Sequence, residues 1–185
     1  MTERARYQDV IENLRLLYRL SEFNPVVIGT PPLGIAIESS DIDIACSAED
    51  LSHFGNTVKL QFGDLQEFRL RSVDHLSNPA VVASFIALDW QIELFCQELE
   101  TDDQWGVRHF RVEQRLLTIE PELRREVLEL KQQGLKTEPA FAHLLKLPGN
   151  PYEAMLDLAE NSDGELREII NHRSQSDPRP NSETQ

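Results

Sequence analysis

Cysteine is scarce in this sequence. The chain contains two cysteines, Cys46 and Cys96, and each stands in an apolar stretch typical of a strand. A reduced cysteine in such a stretch usually behaves as a small buried hydrophobe. The sequence therefore predicts neither a disulfide-stabilised scaffold nor a zinc site.

Long hydrophobic runs are also missing. No run approaches the roughly 18 apolar residues that a membrane-spanning helix needs. The N-terminal stretch carries Glu3, Arg4, Arg6 and Asp9 instead of the apolar core of a secretion signal. We therefore expect a cytoplasmic protein with no membrane partner.

Basic residues are in the minority, because 18 lysines and arginines face 32 aspartates and glutamates, for a formal net charge of −14. A surface that binds a nucleic-acid duplex gains affinity by neutralising phosphates with lysine and arginine. The composition therefore does not favour a long nucleic-acid partner. A bound polyphosphate would be expected to arrive with a metal ion that offsets its charge.

The first half of the sequence predicts one helix followed by a sheet. Apolar residues at helical spacing from Val10 to Tyr18 predict an amphipathic helix that ends near Ser21. Short segments rich in β-branched and aromatic residues then predict a twisted sheet of five or six strands. These segments are 26–28, 41–46, 57–62, 67–73, 81–88 and 91–96.

The second half predicts helices, because apolar residues recur at spacings of three and four after about Asp102. Gly134 stands where a helix would end, and further helices are expected over 152–158 and after Asp163. From His172 the chain lacks apolar anchors, which predicts a disordered tail. The fold class is α+β, with a core over 1–102, a helical region over 103–171 and a tail over 172–185.

Two carboxylates lie side by side in the second predicted strand. Residues two apart in a strand point to the same face, so Asp41 and Asp43 share a face while Ile42 and Ile44 point into the core. Like charges this close repel, and a divalent ion that prefers oxygen ligands, such as Mg²⁺, would relieve the repulsion. An acidic face that is simply solvated at the edge of the sheet is the alternative interpretation.

The surroundings of this pair resemble a known superfamily. Ile28-Gly29-Thr30, a loop, and then Asp41-Ile42-Asp43-Ile44 are similar to the hallmark of the polymerase-β-like nucleotidyltransferases: an apolar residue, Gly and Ser, about a dozen residues, then Asp-x-Asp. The superfamily uses a third carboxylate on a later strand, and Glu93 is the best match. This resemblance implies a nucleotidyltransferase-like twisted mixed sheet flanked by helices and followed by a helical C-terminal half.

A second resemblance is to a family of small bacterial proteins known only as a domain of unknown function within this fold. It covers most of residues 25–158. The matching residues are Gly29-Thr30, Gly34, Ser40-Asp41, the Glu93 strand, Arg108-His109 with Glu113, and the segment 134–141.

These resemblances imply a site and a reaction. Asp41, Asp43 and Glu93 would be the catalytic and metal-binding residues, with Mg²⁺ or Mn²⁺ as cofactor and a nucleoside triphosphate as donor. A nucleoside monophosphate would pass to the hydroxyl of an unidentified small-molecule or macromolecular acceptor, and pyrophosphate would leave. Residues expected to contact the nucleotide are Gly29, Thr30, Ser40, His109, Lys136 and Thr137.

Parts of the pattern leave alternatives open. Pro31 and Pro32 follow Thr30 and have no N–H to donate to a phosphate. Lys136, beside a helix for which Thr137 looks like the N-cap, suits an anion or an ordinary turn between helices. His109 and Glu113, four apart on one helical face, suit a structural pair or an acid–base role.

Three functional hypotheses follow from these observations. The first is the nucleotidyltransferase. The second is a nucleotide-binding or protein-interaction module of the same fold that has lost efficient chemistry, as the two prolines and sparse basic residues suggest. The third is a glycosyltransferase, which also uses Asp-x-Asp to hold a metal and a nucleotide sugar. The short chain and the position of the pair directly after the Gly29 turn argue against the third.

Overall fold

The structure, a computed structural model, describes residues 4–74 and 78–175. Its helices in chain order are α1 Tyr7–Asn13, α2 Leu16–Arg19, α3 Thr30–Leu33, α4 Leu51–Phe62, α5 Trp105–Ile119, α6 Leu123–Gln132, α7 Thr137–Leu145, α8 Pro151–Asp157 and α9 Asp163–Gln175. Its strands are β1 Val26–Ile28, β2 Ile42–Ser47, β3 Gln66–Val73, β4 Ala80–Ala87 and β5 Trp90–Gln97. No described helix combines the length and hydrophobicity needed to cross a membrane.

The five strands form one mixed sheet in the order β1-β2-β5-β4-β3. Strands β2 and β5 pair in parallel, whereas β1 pairs with β2, β4 with β5 and β3 with β4 in antiparallel fashion. A sheet followed by a helical C-terminal half confirms the predicted α+β class. β3 and β1 are the edges, and β2 and β5 lie inside the sheet.

One face of the sheet carries the main hydrophobic core of the first half. Alternate residues of β2 and β5 point into it, among them Ile42, Ile44, Ile92 and Leu94, all fully buried. Cys46 and Cys96 are partners in the β2–β5 register on this same face, and both are free thiols. Burial raises the pKa of the Cys96 thiol to about 12, as expected for a thiol in apolar surroundings.

The predicted N-terminal helix is interrupted. Arg15 has φ of 53°, a left-handed conformation, and separates α1 from α2. The break turns α2 about its axis, so that Leu16 is buried while Leu17 and Tyr18 are exposed. The prediction that Leu17 and Tyr18 belong to the buried face is therefore wrong.

The strand predicted over 57–62 is wrong, because these residues end helix α4. Asp50 caps this helix, and its side chain accepts hydrogen bonds from the backbone N–H groups of Ser52 and His53. Phe54, Val58 and Phe62, spaced by four, are buried against the sheet. The β-branched residues Thr57 and Val58 favoured a strand locally, but the cap and the spacing of four decided the outcome.

The described chain divides into two units, Met1–Phe110 and Arg111–Gln185. The predicted boundary after residue 102 stays a prediction. Helix α9 extends to Gln175, past the predicted start of the tail at 172, and the prediction of disorder over 176–185 lies outside the described residues.

Candidate functional site

Gly29 and Asp43 are in close contact where β1 ends. Ile28 and Asp43 are register partners in the β1–β2 pair, so the chain turns at Gly29 directly beside the Asp43 side chain. A Cβ atom at position 29 would lie 2.2 Å from Asp43 Oδ2. The backbone there has φ of 78° and ψ of −165°, a region open essentially only to glycine. Position 29 therefore requires glycine for both reasons.

Glu93 lies beside Asp43 on the next strand. The two are register partners in the parallel β2–β5 pair, so their side chains leave the same face of the sheet. This face lies opposite the one that carries Ile42 and Ile92. Burial raises the pKa of Glu93, and the negative charge of Asp41 raises it further. The three predicted carboxylates therefore lie at one place on one face.

Arg71 is the cation that pairs with Glu93 on this face. Its Nη2 atom lies 3.5 Å from Glu93 Oε2, and the positive charge opposes the rise in the pKa of Glu93. Arg71 belongs to β3, and β4 separates it from β5. The β4 partner of Glu93 is Ser84 and that of Arg71 is Val82, so the guanidinium reaches Glu93 diagonally across β4.

The loop between β1 and β2 is held by two hydroxyl groups. Thr30 Oγ1 donates to Ser40 Oγ at 3.0 Å, and the backbone N–H of Ile37 donates to the same Ser40 oxygen at 2.9 Å. Thr30, Pro31 and Pro32 begin the one-turn helix α3. Thr30 and Ser40 therefore stabilise the loop that leads into Asp41, and their predicted contact with nucleotide stays a prediction.

Arg4, ahead of α1, forms hydrogen bonds with the loop between β1 and β2. Its guanidinium donates to the carbonyl oxygens of Glu38, Ser40 and Asp89 at 2.9, 2.7 and 3.1 Å. It also stacks on the Trp90 ring at 3.3 Å from the centroid, a cation–π contact. Burial lowers the pKa of Arg4, and the charge of Asp41 opposes that shift. Arg4 thus joins the loop before Asp41 to the turn before β5.

The carboxylates suit a divalent ion in part. Asp41 and Asp43 offer the hard oxygen ligands that Mg²⁺ and Mn²⁺ prefer, and Asp43 lies beside Gly29, where a larger residue would meet its carboxylate. However, within residues 4–74 and 78–175 no group of three His, Cys, Asp or Glu side chains is arranged to hold an ion. Glu93 is in addition paired with Arg71. The carboxylates therefore supply hard oxygen ligands but do not by themselves form a three-ligand site among the described residues.

Three predicted site residues lie along the helical part of the chain. His109 is 7% exposed and lies in the first unit, whereas Lys136 and Thr137 lie in the second. The prediction of Thr137 as an N-cap is wrong: Lys136 takes the N-cap position, makes no side-chain capping bond, and Thr137 begins α7. Nucleotide binding by these three residues stays a prediction.

The second unit contains a buried acid, Glu113, whose predicted pairing with His109 or acid–base role stays a prediction. Glu113 is 4% exposed, and its Oε1 atom has no hydrogen-bond partner. Burial and the negative charge of Glu138 raise the pKa of Glu113 well above its ordinary value, and Lys131 opposes this shift. Burial of Glu113 therefore favours its protonated form.

A cavity of about 360 Å³ lies at the edge of the sheet between α4 and β3. Its lining includes Gly55, Leu70 and Val81, which contact one another across the core face. This is the face opposite the carboxylates. The cavity therefore opens on the core face, although Arg71, the partner of Glu93, is also among its lining residues.

Three arginines at or near the site, Arg4, Arg69 and Arg71, were not predicted from the sequence. The alternation Arg69-Leu70-Arg71 places both arginines on one face of β3, a signal that was available once β3 was predicted. Only the register across three strands shows that this face is the one with Glu93. Arg4 had no signal, since its contacts join segments far apart in the chain.

Solved structures share the fold. The chain is similar to three structures of Cid1 poly(U) polymerase: one of the enzyme (TM-score 0.54, 15% identity, 77% of this chain and 48% of that one), one with MgGTP bound (0.52, 14%, 81% and 47%), and one in complex with the UTP analogue UMPNPP (0.51, 15%, 76% and 46%). This chain thus spans about half the length of the Cid1 chains. At this identity the likeness establishes a nucleotidyltransferase-like fold and nothing about activity.

The sequence comparisons point the same way. No curated protein matches the chain in sequence. Residues 9–158 match the domain of unknown function DUF4269, most of the chain and all five strands. The protein therefore belongs to the DUF4269 family.

Proposed function

We propose that this protein is a metal-dependent nucleotidyltransferase, which transfers a nucleoside monophosphate from a nucleoside triphosphate to a hydroxyl acceptor. The observation that carries the proposal is the junction of Gly29, directly after β1, with Asp43 on β2 and Glu93 on β5. A glycine turn packed against a carboxylate, with a second carboxylate in register, leaves an open acidic face. The nucleotidyltransferase-like fold supports this assignment.

Asp41 and Asp43 would hold Mg²⁺ or Mn²⁺ through their oxygen atoms. When bound, the ion would offset the charge of the triphosphate and polarise its phosphoryl oxygens. The protein's own part is to present the two carboxylates on a rigid strand whose other face is fixed in the core by Ile42 and Ile44. Such fixed placement is the main contribution that a protein makes to phosphoryl transfer.

Glu93 would act on the acceptor. Its carboxylate would accept a hydrogen bond from the acceptor hydroxyl and take the proton as that oxygen forms a bond to the α-phosphorus. The bond between the α-phosphorus and the bridging oxygen breaks, and pyrophosphate leaves. Glu93 is 34% exposed, so an acceptor hydroxyl can reach it from solvent.

The test is the thermal shift of the purified protein with each of the four ribonucleoside triphosphates, with and without Mg²⁺ or Mn²⁺. A ligand that binds only the folded state stabilises it by about 2.7 kcal/mol at a hundred times its Kd. We expect a metal-dependent rise in Tm that Asp41→Asn and Asp43→Asn each abolish. Metal-dependent release of pyrophosphate from the same nucleotide would then establish turnover.

Asp64→Asn is the matched control, because it removes one negative charge from an exposed position outside the site. It should keep the full metal-dependent shift. Equal shifts in Asp43→Asn and Asp64→Asn would refute the aspartate pair as the metal site.

A second candidate function is nucleotide or protein binding without turnover. The Arg71–Glu93 ion pair favours it, because Glu93 paired with a cation is a weaker proton acceptor. Pro31 and Pro32 at the start of α3 also reduce the backbone donors available to a phosphate. A metal-dependent thermal shift without pyrophosphate release from any nucleotide would identify this function.

A further inference from the structure

Charged residues are rare on the strands and concentrated on one face. In the five described strands the only basic residues are Arg69 and Arg71, both in β3. Strand register places them on the same face as Asp43 and Glu93, since Arg69 pairs with Ser84 and Ser84 pairs with Glu93. The face therefore changes from acidic on β2 and β5 to basic where β3 carries Arg69 and Arg71; the acid of β3, Glu67, falls in the register shift between Gln66 and Arg69.

The order of the strands places the acidic part of this face, on β2 and β5, and the basic part, on β3, where they would contact different ligands. Glu93 on β5 lies between the aspartate pair on β2 and the arginines on β3. Adjacent strands are about 4.8 Å apart, so β3 lies roughly 14 Å from β2 and roughly 10 Å from β5. A triphosphate held at Asp41 and Asp43 is on the far side of Glu93 from the arginines. The arginines adjoin the side from which an acceptor hydroxyl would approach.

In the Arg71–Glu93 pair, an incoming phosphate could replace Glu93 as the partner of Arg71. The two side chains are 60% and 34% exposed and 3.5 Å apart, and an ion pair this exposed contributes little stability. A phosphate group bound in a two-point manner by a guanidinium makes shorter and stronger hydrogen bonds. An incoming phosphate can therefore take Arg71 from Glu93 at low cost, and this leaves Glu93 to the acceptor hydroxyl.

Because the whole chain is strongly acidic, an anionic acceptor needs local cations such as Arg69 and Arg71 in order to bind. With a net charge of −14, the protein repels anions unless cations are placed where they bind. An uncharged acceptor would need no such placement. Two exposed arginines at alternate positions of one strand supply it beside Glu93.

We propose that the acceptor carries a phosphate group, which Arg69 and Arg71 bind on β3 while its hydroxyl lies at Glu93. This inference rests on the proposed function for the identity of the reaction, but phosphate binding at β3 can be measured without it. A phosphorylated small molecule and the end of a short oligonucleotide share the required chemistry.

The experiment is calorimetric titration of the full chain, without nucleoside triphosphate, with four probes: ribose 5-phosphate, ribose, the oligonucleotide UpUpU and uridine. We expect binding of at least one phosphate-bearing probe and none of its phosphate-free counterpart. Arg69→Gln and Arg71→Gln should each weaken that binding at least tenfold. Arg167→Gln removes the same charge from an exposed position in the second unit and should leave the affinity unchanged.

Glu93→Gln sharpens the test. Because the amide no longer holds the guanidinium as an ion pair, phosphate affinity should rise by roughly two- to fivefold, the ratio that an exposed ion pair supports. Binding of ribose 5-phosphate alone identifies a phosphorylated small molecule as the acceptor class, and binding of UpUpU alone identifies a nucleic-acid end.

Two outcomes overturn the proposal: no phosphate-bearing probe binds, or Arg69→Gln and Arg71→Gln bind it as tightly as the unchanged protein. The thermal shift with metal and nucleoside triphosphate keeps the two proposals separate. A retained metal-dependent shift together with absent phosphate binding removes the phosphate-bearing acceptor and leaves the nucleotidyltransferase intact.

Discussion

The two units differ in how far water reaches their charged side chains. In the first, Arg71 and Glu93 are 60% and 34% exposed and lie on one face of the sheet, two strands apart. In the second, Glu113 and Lys131 are 4% and 6% exposed among helices. Exposed charges on a rigid sheet can exchange one partner for a ligand, whereas buried charges cannot leave their partners without a large desolvation cost. Ligand chemistry is therefore expected in the first unit and pH-dependent stability in the second.

The largest effect on stability should come from Gly29→Ala, a substitution at the candidate site in the first unit. The added Cβ would meet Asp43 Oδ2 at 2.2 Å, in a backbone region that alanine avoids. We expect a loss of about 3 kcal/mol or more in the free energy of unfolding, from backbone strain and overpacking together. Urea denaturation followed by circular dichroism measures it.

Gly149→Ala is the matched control in the second unit. Its φ is +81°, but nothing lies within 4 Å of the added Cβ, so only backbone strain remains. A loss of about 1 kcal/mol is expected. Equal losses at both glycines would mean that the contact with Asp43 does not restrict position 29.

The next effect is the pH dependence of the free energy of unfolding, which tests buried Glu113 in the second unit. Because the pKa of Glu113 is raised in the folded state, the folded chain holds a proton that the unfolded chain releases at lower pH. The stability linked to Glu113 is complete below its unfolded pKa and is lost as pH rises through its folded pKa. One such proton corresponds to a slope of about 1.4 kcal/mol per pH unit within that window.

Glu113→Gln should flatten this slope while keeping the size of the side chain. Urea denaturation of both proteins at a series of pH values from 4 upward provides the measurement. Parallel curves for the two proteins would show that Glu113 does not titrate differently on unfolding.

The smallest effect compares two ion pairs made by glutamates of α6, one with Arg173 of α9 and one with Arg125 of α6 itself. Glu126 contacts Arg173 at 2.5 Å, with the side chains 23% and 13% exposed. Glu129 contacts Arg125 at 3.5 Å, with both more than half exposed. Glu126→Gln should cost about 1–2 kcal/mol, since it leaves the largely buried guanidinium of Arg173 without its charged partner, and Glu129→Gln less than about 0.5 kcal/mol. Thermal melts of the two variants compare them directly; equal costs would show that burial does not set the value of these pairs.

Local patterns predicted most of the fold. β2 to β5 of the sheet follow from alternation and β-branched content, apart from the strand predicted over 57–62 that is helix α4. The left-handed Arg15 was not predictable, because an arginine gives no local signal for that conformation. The break follows from tertiary packing that buries Leu16 and Leu20.

Some residues of the candidate site could be predicted from the sequence and others could not. Gly29, Asp43 and Glu93 came from the spacing of a motif and a resemblance, and strand register places them side by side. Their catalytic role stays a prediction. Arg71 was missed, because its contact with Glu93 depends on the strand order β5-β4-β3, which no local pattern encodes.

The buried pair Cys46 and Cys96 has a practical consequence. Thiol-reactive dyes attack the thiolate, and a buried thiol with a raised pKa forms almost none at neutral pH. A cysteine introduced at Leu60, which is 88% exposed on α4, would therefore take up a maleimide dye far faster than either native thiol. The protein can be labelled at one chosen position for fluorescence binding assays without first removing its own cysteines.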